Sequence, residues 1–255
     1  TFAIKTIIIF AIIFLIACLS FTFPEIEAEK KLKHHTNNGF RNYPVIPKPP
    51  SSGIAFYLRR FWFSIFLPDV SKDHYIPEKY AISQFQHSKN YDSITWIGHA
   101  TFLIKINGLA ILTDPFLSKH ASPIQGLGPK RFIQPGISLE NLPPIDLIVV
   151  SHNHLDHLDA ETIEFLPGKE NIHVFTPLGL KPFFKDRGYT HVEELDWNES
   201  FSFGGIKLIA LPAVHFSGRG LNDRNKTLWC SWSISSQFLK IFFAGDTTYS
   251  STIFK

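Results

Sequence analysis

Between His152 and His157 the chain gathers three histidines and an aspartate, in the order His152-Asn153-His154-Leu155-Asp156-His157. The stretch follows Ser151 and the apolar run Ile145-Asp146-Leu147-Ile148-Val149-Val150, which Pro143-Pro144 bounds upstream. A run of that length, rich in β-branched residues, reads as a buried strand. Such a strand, stopping at this cluster, delivers imidazoles to the rim of a sheet. His152 and His154 are two apart and point the same way in extended backbone. Asp156 and His157 fall where the chain turns into a helix, with Asp159 as its expected N-cap and Glu161 in its first turn. Nitrogens and a carboxylate at this spacing suit Zn²⁺ or a similar borderline metal.

The pattern beyond Ile94 is rich in strands. They are expected at Ile94–Ile97, Thr101–Ile106, Ala110–Thr113, Leu147–Val150, His173–Thr176, Lys207–Leu211, Leu228–Ile234 and Lys240–Ala244. Asn107-Gly108 is a hairpin signal between two of them. Helices are expected at Ala160–Leu166 and Leu178–Arg187, the latter stopped by Gly188. Strands first, then β and α in alternation, suit an α/β sandwich.

Several stretches carry a resemblance to a known family. The His152–His157 cluster after its strand resembles the signature of the metallo-β-lactamase superfamily, which folds as an αββα sandwich around a dinuclear metal site. Thr95-Trp96-Ile97-Gly98-His99-Ala100-Thr101, Leu112-Thr113-Asp114-Pro115-Phe116 and Gly128-Pro129-Lys130-Arg131 narrow it. So do Leu211-Pro212-Ala213-Val214-His215-Phe216-Ser217-Gly218-Arg219, the tract Leu221 to Trp229, and Phe242-Phe243-Ala244-Gly245-Asp246-Thr247. Together they resemble the N-acyl-phosphatidylethanolamine-hydrolysing phospholipase D branch and its bacterial relatives, over roughly Tyr91 to Tyr249.

The resemblance implies two zinc ions per intact site. His152, His154 and His215 would hold one, Asp156 and His157 the second, and Asp246 would bridge both. Physical chemistry agrees with this division. His215 and Asp246 each follow an expected strand, and a carboxylate can give one oxygen to each of two metals. Two metals about 3.5–4 Å apart clamp a phosphodiester and make hydroxide available near neutral pH. Asp156 is placed to orient that hydroxide as a catalytic residue. His99 and Asp114 are expected to steady ligands by hydrogen bonds, with a purely structural turn at Asp114-Pro115 as the alternative. Arg219, Asn222 and Arg224, in the loop after His215, are expected either at the phosphate of a substrate or in a solvated loop. His34, His35, His74, His87, His120, His173 and His191 have no partner at ligand spacing and read as surface residues.

The family also completes its second site with a histidine in a downstream His-Trp-Gly-like stretch. This chain ends nine residues after Asp246 and contains no methionine, so it reads as a fragment, with the sandwich incomplete at its C-terminal end.

The 255 residues suffice for one core, and no internal repeat suggests a second catalytic domain. A net charge of +3 is too mild to argue for nucleic acid, though 25 phenylalanines favour a large apolar contact surface. Cys18 and Cys230 are too differently placed to form a disulfide framework.

Residues 1–23 read as a signal or membrane anchor, because Thr6 to Phe23 carries no charge. Leu15-Ile16-Ala17-Cys18 also resembles a lipobox, so a lipoprotein or exported form is an alternative. Residues 24–53 read as a proline-rich linker, and 54–255 as the hydrolase domain. Ile54 to Leu67 is an aromatic segment holding Arg59-Arg60, suited to a lipid interface or to covering the core. The whole reads as a membrane-associated, zinc-dependent phosphodiesterase with a phospholipid substrate. A metallo-hydrolase of a lactone or soluble phosphodiester is the alternative, as is an inactive metal-binding remnant.

Overall fold

The computed structural model describes residues 32–45, 55, 58–59, 62–63, 76–88, 90–124 and 128–254. The expected anchor, 1–23, lies outside the described residues, as does most of the aromatic segment 54–67. Among the described residues, no helix is long and apolar enough to cross a membrane.

A small hairpin, β1 (His35–Thr36) and β2 (Gly39–Phe40), comes first, followed by helix α1 (Glu78–His87). Then β3 (Ser93–Gly98), β4 (Thr101–Ile106), β5 (Leu109–Thr113), β6 (Leu147–Val149), β7 (His173–Pro177) and β8 (His191–Leu195) line up in chain order as one sheet. Its first three strands are antiparallel, and β5 to β8 run parallel. Helices α2 (Ala160–Phe165) and α3 (Lys181–Lys185) are the crossovers. A second sheet holds β9 (Ser200–Phe203), β10 (Ile206–Leu211), β11 (Ser231–Ser235) and β12 (Lys240–Phe243), antiparallel throughout.

The alternation of side chains builds two cores. Ile104, Ile106, Ile111, Leu147, Val149 and Phe175 from the first sheet meet Ile206, Leu208, Ala210, Trp232 and Ile234 from the second. On the other face, Leu103, Leu112, Ile148, Val150 and Val174 pack against Ile163 of α2, Phe183 and Phe184 of α3, and Ala81, Ile82 and Phe85 of α1. β6 is therefore buried on both faces, as its unbroken Leu-Ile-Val run requires. Three layers of the expected αββα sandwich, helices and two sheets, are present among the described residues. None of the helices just named packs on the outer face of the second sheet, where Phe242 is half-exposed.

Local chemistry explains most boundaries. Asn107 and Gly108 both have positive φ, 53° and 79°, as the two-residue turn between β4 and β5 demands. Asp159 caps α2 by accepting from the backbone N–H groups of Glu161 and Thr162. The helix expected from Leu178 starts only at Lys181, because Gly179 (φ 91°) turns the chain first. The strand expected from Leu228 starts at Ser231. Leu228 N–H donates to Leu178 O and Cys230 N–H to Ser151 O, which ties this segment across to the first sheet. β8 and β9 lie at sheet edges, where charged and polar side chains are tolerated and the apolar signal is weak.

The stretch read as a linker is not one throughout. Residues 32–45 lie against the domain, with Phe40 buried in the core between the sheets. The surface assignment of His34 and His35 is likewise corrected. His34 is buried, and both rings converge on the carboxylate of Asp196, at 2.6 and 2.7 Å.

Candidate metal centre

Ser151, two residues past the end of β6, starts the histidine cluster, and beneath it lies Asp114, just past β5 and fully buried. Asp114 Oδ1 accepts from Ser151 N–H at 2.6 Å, and Oδ2 accepts from Ser151 Oγ at 2.6 Å. The Ser151 hydroxyl proton is thereby committed to the carboxylate. Its oxygen, 2.8 Å from His152 Nδ1, is left to accept, which puts the imidazole proton on Nδ1 and leaves Nε2 bare. Asp114 Oδ2 also lies 2.7 Å from His157 Nδ1, fixing a second ring in the same sense. One buried carboxylate thus contacts the groups that orient two imidazoles.

The second sheet supplies the rest. Past β10, His215 brings Nε2 to 3.1 Å from His154 Nδ1, while His152 Nε2 lies 2.8 Å from that same atom. Past β12, Gly245 takes φ 57° and runs so close to Ser151 that a Cβ would stand 2.4 Å from that residue's Cβ. Only glycine permits this approach, and it sets Asp246 at the cluster. Asp246 Oδ1 is 3.3 Å from His157 Nε2 and Oδ2 is 3.6 Å from His215 Nε2. One oxygen faces each side, as a bridging carboxylate requires.

Ligand atoms of His152, His154, His215 and Asp246 all lie within 4.8 Å of one another, and those of His99, Asp156 and His157 form a second such group. His99 was expected only to steady a ligand. It has positive φ (52°), is held by Trp96 Nε1–H donating to its carbonyl at 2.9 Å, and places Nε2 3.1 Å from Asp156 Oδ2. The group Asp114, His152 and His157 is also close-packed, but both Asp114 oxygens are taken by hydrogen bonds.

Electrostatics prepare the nitrogens for a cation. Burial, then the neighbouring His215, pushes His154 down to about 4. Burial also brings His215 to about 4, and His152 falls well below the usual imidazole range through burial and the surrounding histidines. These three rings are neutral ligands at neutral pH. His157 differs: burial opposes its charge, but its hydrogen bond to Asp114 and the approach of the Asp246 carboxylate prevail and raise it to about 10. Asp156 is held below the carboxylate range, since the His99 hydrogen bond and nearby histidines outweigh its burial. Asp246 is lowered first by the close approach of His157.

Does this donor set fit two divalent ions? His157 Nε2 is buried and makes no hydrogen bond of good geometry, only the 3.3 Å approach to Asp246. An orphaned nitrogen aimed at a carboxylate, beside three neutral imidazoles, is what a metal ligand looks like before coordination. The residues fit.

The residues expected at the substrate separate. Arg219 is turned inward and buried, its Nη1 donating to the carbonyls of Asn153, at 3.0 Å, and Leu158. It therefore braces the histidine loop from below, because its guanidinium answers carbonyls that no ladder satisfies. Asn222 is exposed in the same loop. Arg224 stays outside, over the Phe216 ring at 4.4 Å, and Phe216 in turn packs on His154 at 4.6 Å.

Sequence reasoning passed over Ser151, Asn153 and Asn42. Asn153 Oδ1 accepts from Gly218 N–H at 2.6 Å, joining the two loops. Asn42 bonds the backbone of His215. Ser151 and Asn153 abut the cluster and could have been found there, but nothing local marks Asn42.

Known proteins resemble the chain in sequence and fold. The family described as Beta-lactamase superfamily domain matches residues 110–253. N-acyl-phosphatidylethanolamine-hydrolyzing phospholipase D 1 of Caenorhabditis elegans is 39% identical over 179 residues, covering 66% of this chain and 50% of the relative. The mitochondrial N-acyl-phosphatidylethanolamine-hydrolyzing phospholipase D of Saccharomyces cerevisiae is also 39% identical, over 68% of this chain and 38% of its own. An uncharacterized protein of Mycobacterium tuberculosis is 40% identical over 62% of this chain and 42% of its own. The chain thus spans half or less of the length of these relatives. Among solved structures, a possible metal-dependent hydrolase from Veillonella parvula matches in fold with a TM-score of 0.50 at 22% identity, over 62% of this chain and 64% of its own. With more than half of its residues matched by the family and a histidine–aspartate centre between two sheets, the chain belongs to the β-lactamase superfamily.

Proposed function

We propose that this chain carries the catalytic centre of a zinc-dependent, phospholipase D-type phosphodiesterase acting on N-acyl-phosphatidylethanolamine-type lipids. The convergence of His152, His154, His215 and Asp246, with Asp156 and His157 alongside, carries the reading. The activity named for the worm and yeast relatives supports the substrate.

In this proposal His152, His154 and His215 would hold one zinc and Asp156 and His157 the other, with Asp246 available to both. Two bound ions supply an ionised water near neutral pH and positive charge for the phosphodiester. The chain's own groups do the rest. Asp156, fixed by His99, orients the attacking water. Arg224 meets a phosphate oxygen from the open side. Trp96 and Phe216, both with exposed rings, give the rim an apolar surface for acyl chains. Cleavage releases a phosphatidic acid from an N-acylethanolamine head group.

The apolar run 6–23 would anchor the domain to a membrane, as signal or span, and so bring it to phospholipid. The exposed side chains of Leu58, Trp62 and Phe63 suit a lipid interface.

Mass spectrometry of N-acyl-phosphatidylethanolamine incubated with zinc-loaded protein tests the reading. N-acylethanolamine and phosphatidic acid should appear together and vanish with chelator. Turnover of a lactone or soluble phosphodiester without lipid turnover would favour the other esters, and no turnover with metal bound would favour the remnant. Another first-row metal retained in preference to zinc, by elemental analysis, would overturn the zinc assignment.

A further inference from the structure

The segment 32–45 behaves as a strap. One end is latched where His34 Nε2 and His35 Nε2 meet the two oxygens of Asp196, with His34 stacked on Trp197 at 4.2 Å. In the middle, Phe40 enters the core and its N–H donates to Asn225 O at 2.8 Å. Gly39 (φ 131°) lies so near that loop that a Cβ would stand 2.0 Å from Asn225 O. The strap therefore rests directly on the loop that follows His215.

At its other end Asn42 meets His215 itself. Asn42 Nδ2 donates to His215 O at 2.9 Å, and His215 N–H donates to Asn42 Oδ1 at 3.1 Å. Trp229 Nε1–H adds a contact to the same oxygen at 3.2 Å, which leaves no freedom to exchange the amide's two ends. His215 lies beyond the end of β10, so no ladder partner holds its backbone. The Asn42 amide takes that place, one donor and one acceptor matched to one residue. Pinning both groups restrains the backbone dihedrals, and with them the Cα–Cβ direction from which the imidazole projects.

We propose that Asn42 is a positioning residue for the metal ligand His215, delivered by a strap anchored at Asp196. The proposal rests on the reading of His215 as a ligand. It draws residues ahead of the apparent catalytic domain into the metal site.

Zinc affinity, measured by competition with a chromophoric chelator, tests it on wild type, Asn42→Ala, His215→Ala and the double variant. Asn42→Ala should weaken affinity about 10- to 100-fold, as loss of a ligand's supporting hydrogen bonds does. The double variant should bind no more weakly than His215→Ala alone. A general structural role would instead weaken binding in both backgrounds. Affinity of Asn42→Ala within twofold of wild type, or additive losses, would overturn the proposal. Unchanged affinity in His215→Ala would sink the ligand reading instead. Should Asn42→Ala fail to fold, Asn42→Asp keeps the acceptor but loses the donor. It should show an intermediate loss that also disappears in the His215→Ala background, and wild-type affinity there would count equally against the proposal.

Discussion

Asp114 Oδ2 lies 2.7 Å from His157 Nδ1, yet Asp114 has no exposed surface and no oxygen left for a metal. Its work is done through others. By accepting from His157 and from Ser151, it leaves the Nε2 atoms of His157 and His152 free to face the cluster.

Asp114→Asn should therefore weaken metal binding without touching a ligand. The amide offers only one acceptor oxygen where three donors now converge, so one imidazole loses its orientation. A drop of about 10- to 100-fold in zinc affinity is expected from chelator competition. An unchanged affinity would mean that the two rings are oriented by packing alone.

His152→Ala and Asp246→Asn should each cut turnover by several orders of magnitude in zinc-loaded protein while leaving far-ultraviolet circular dichroism unchanged. Asp246→Asn should also lower the zinc content per chain, since one oxygen faces each side of the centre. Activity within tenfold of wild type for Asp246→Asn would show that it does not bridge.

Two arginines five residues apart should behave differently. Arg219→Ala removes a buried guanidinium from the carbonyls of Asn153 and Leu158 and should cost about 2–3 kcal/mol of stability in denaturant titrations. Arg224→Ala should leave stability within about 0.5 kcal/mol, because its ring contact is exposed. Its effect should be a higher KM for anionic lipid at similar kcat. Equal destabilisation by both variants would remove Arg224 from the substrate's path.

The latch at Asp196 predicts a dependence on acid. Burial opposes the charge of this carboxyl, but the His34 hydrogen bond prevails and holds it below its ordinary value of 3.8. A carboxyl lowered in the folded state contributes stability above its unfolded value, and that contribution is lost as pH falls through the folded one. Wild type should thus melt above Asp196→Asn at neutral pH, and the gap should narrow as the pH falls below 3.8. A gap independent of pH would show that the latch does not depend on the charge.

How much of this could be read beforehand depended on distance along the chain. The cluster His152 to His157 announces itself because its residues are neighbours behind one apolar strand. His215 and Asp246 are legible because each follows a strand of its own and falls in a recognisable stretch. Asn42 was invisible, for its partner lies 173 residues away and an asparagine among prolines looks like linker. His34 and His35 looked like surface residues because Asp196, 162 and 161 residues on, supplies what no neighbour could. Arg219 and Arg224 share one loop, and only the folded loop turns one inward and the other out. β8 escaped notice because Glu193 and Glu194 interrupt its apolar pattern, which an edge position tolerates.

The donors are divided between two sheets: His152, His154, Asp156 and His157 hang from β6, His215 and Asp246 from β10 and β12. Any ion bound by both sets is a rivet through the sandwich, and its release unfastens the halves. Chelation should then act as a mild denaturant, raising the rate of limited proteolysis, because ligand binding to the folded state alone stabilises it by mass action. The chain's resistance to proteolysis would then report how fully the centre is loaded with metal.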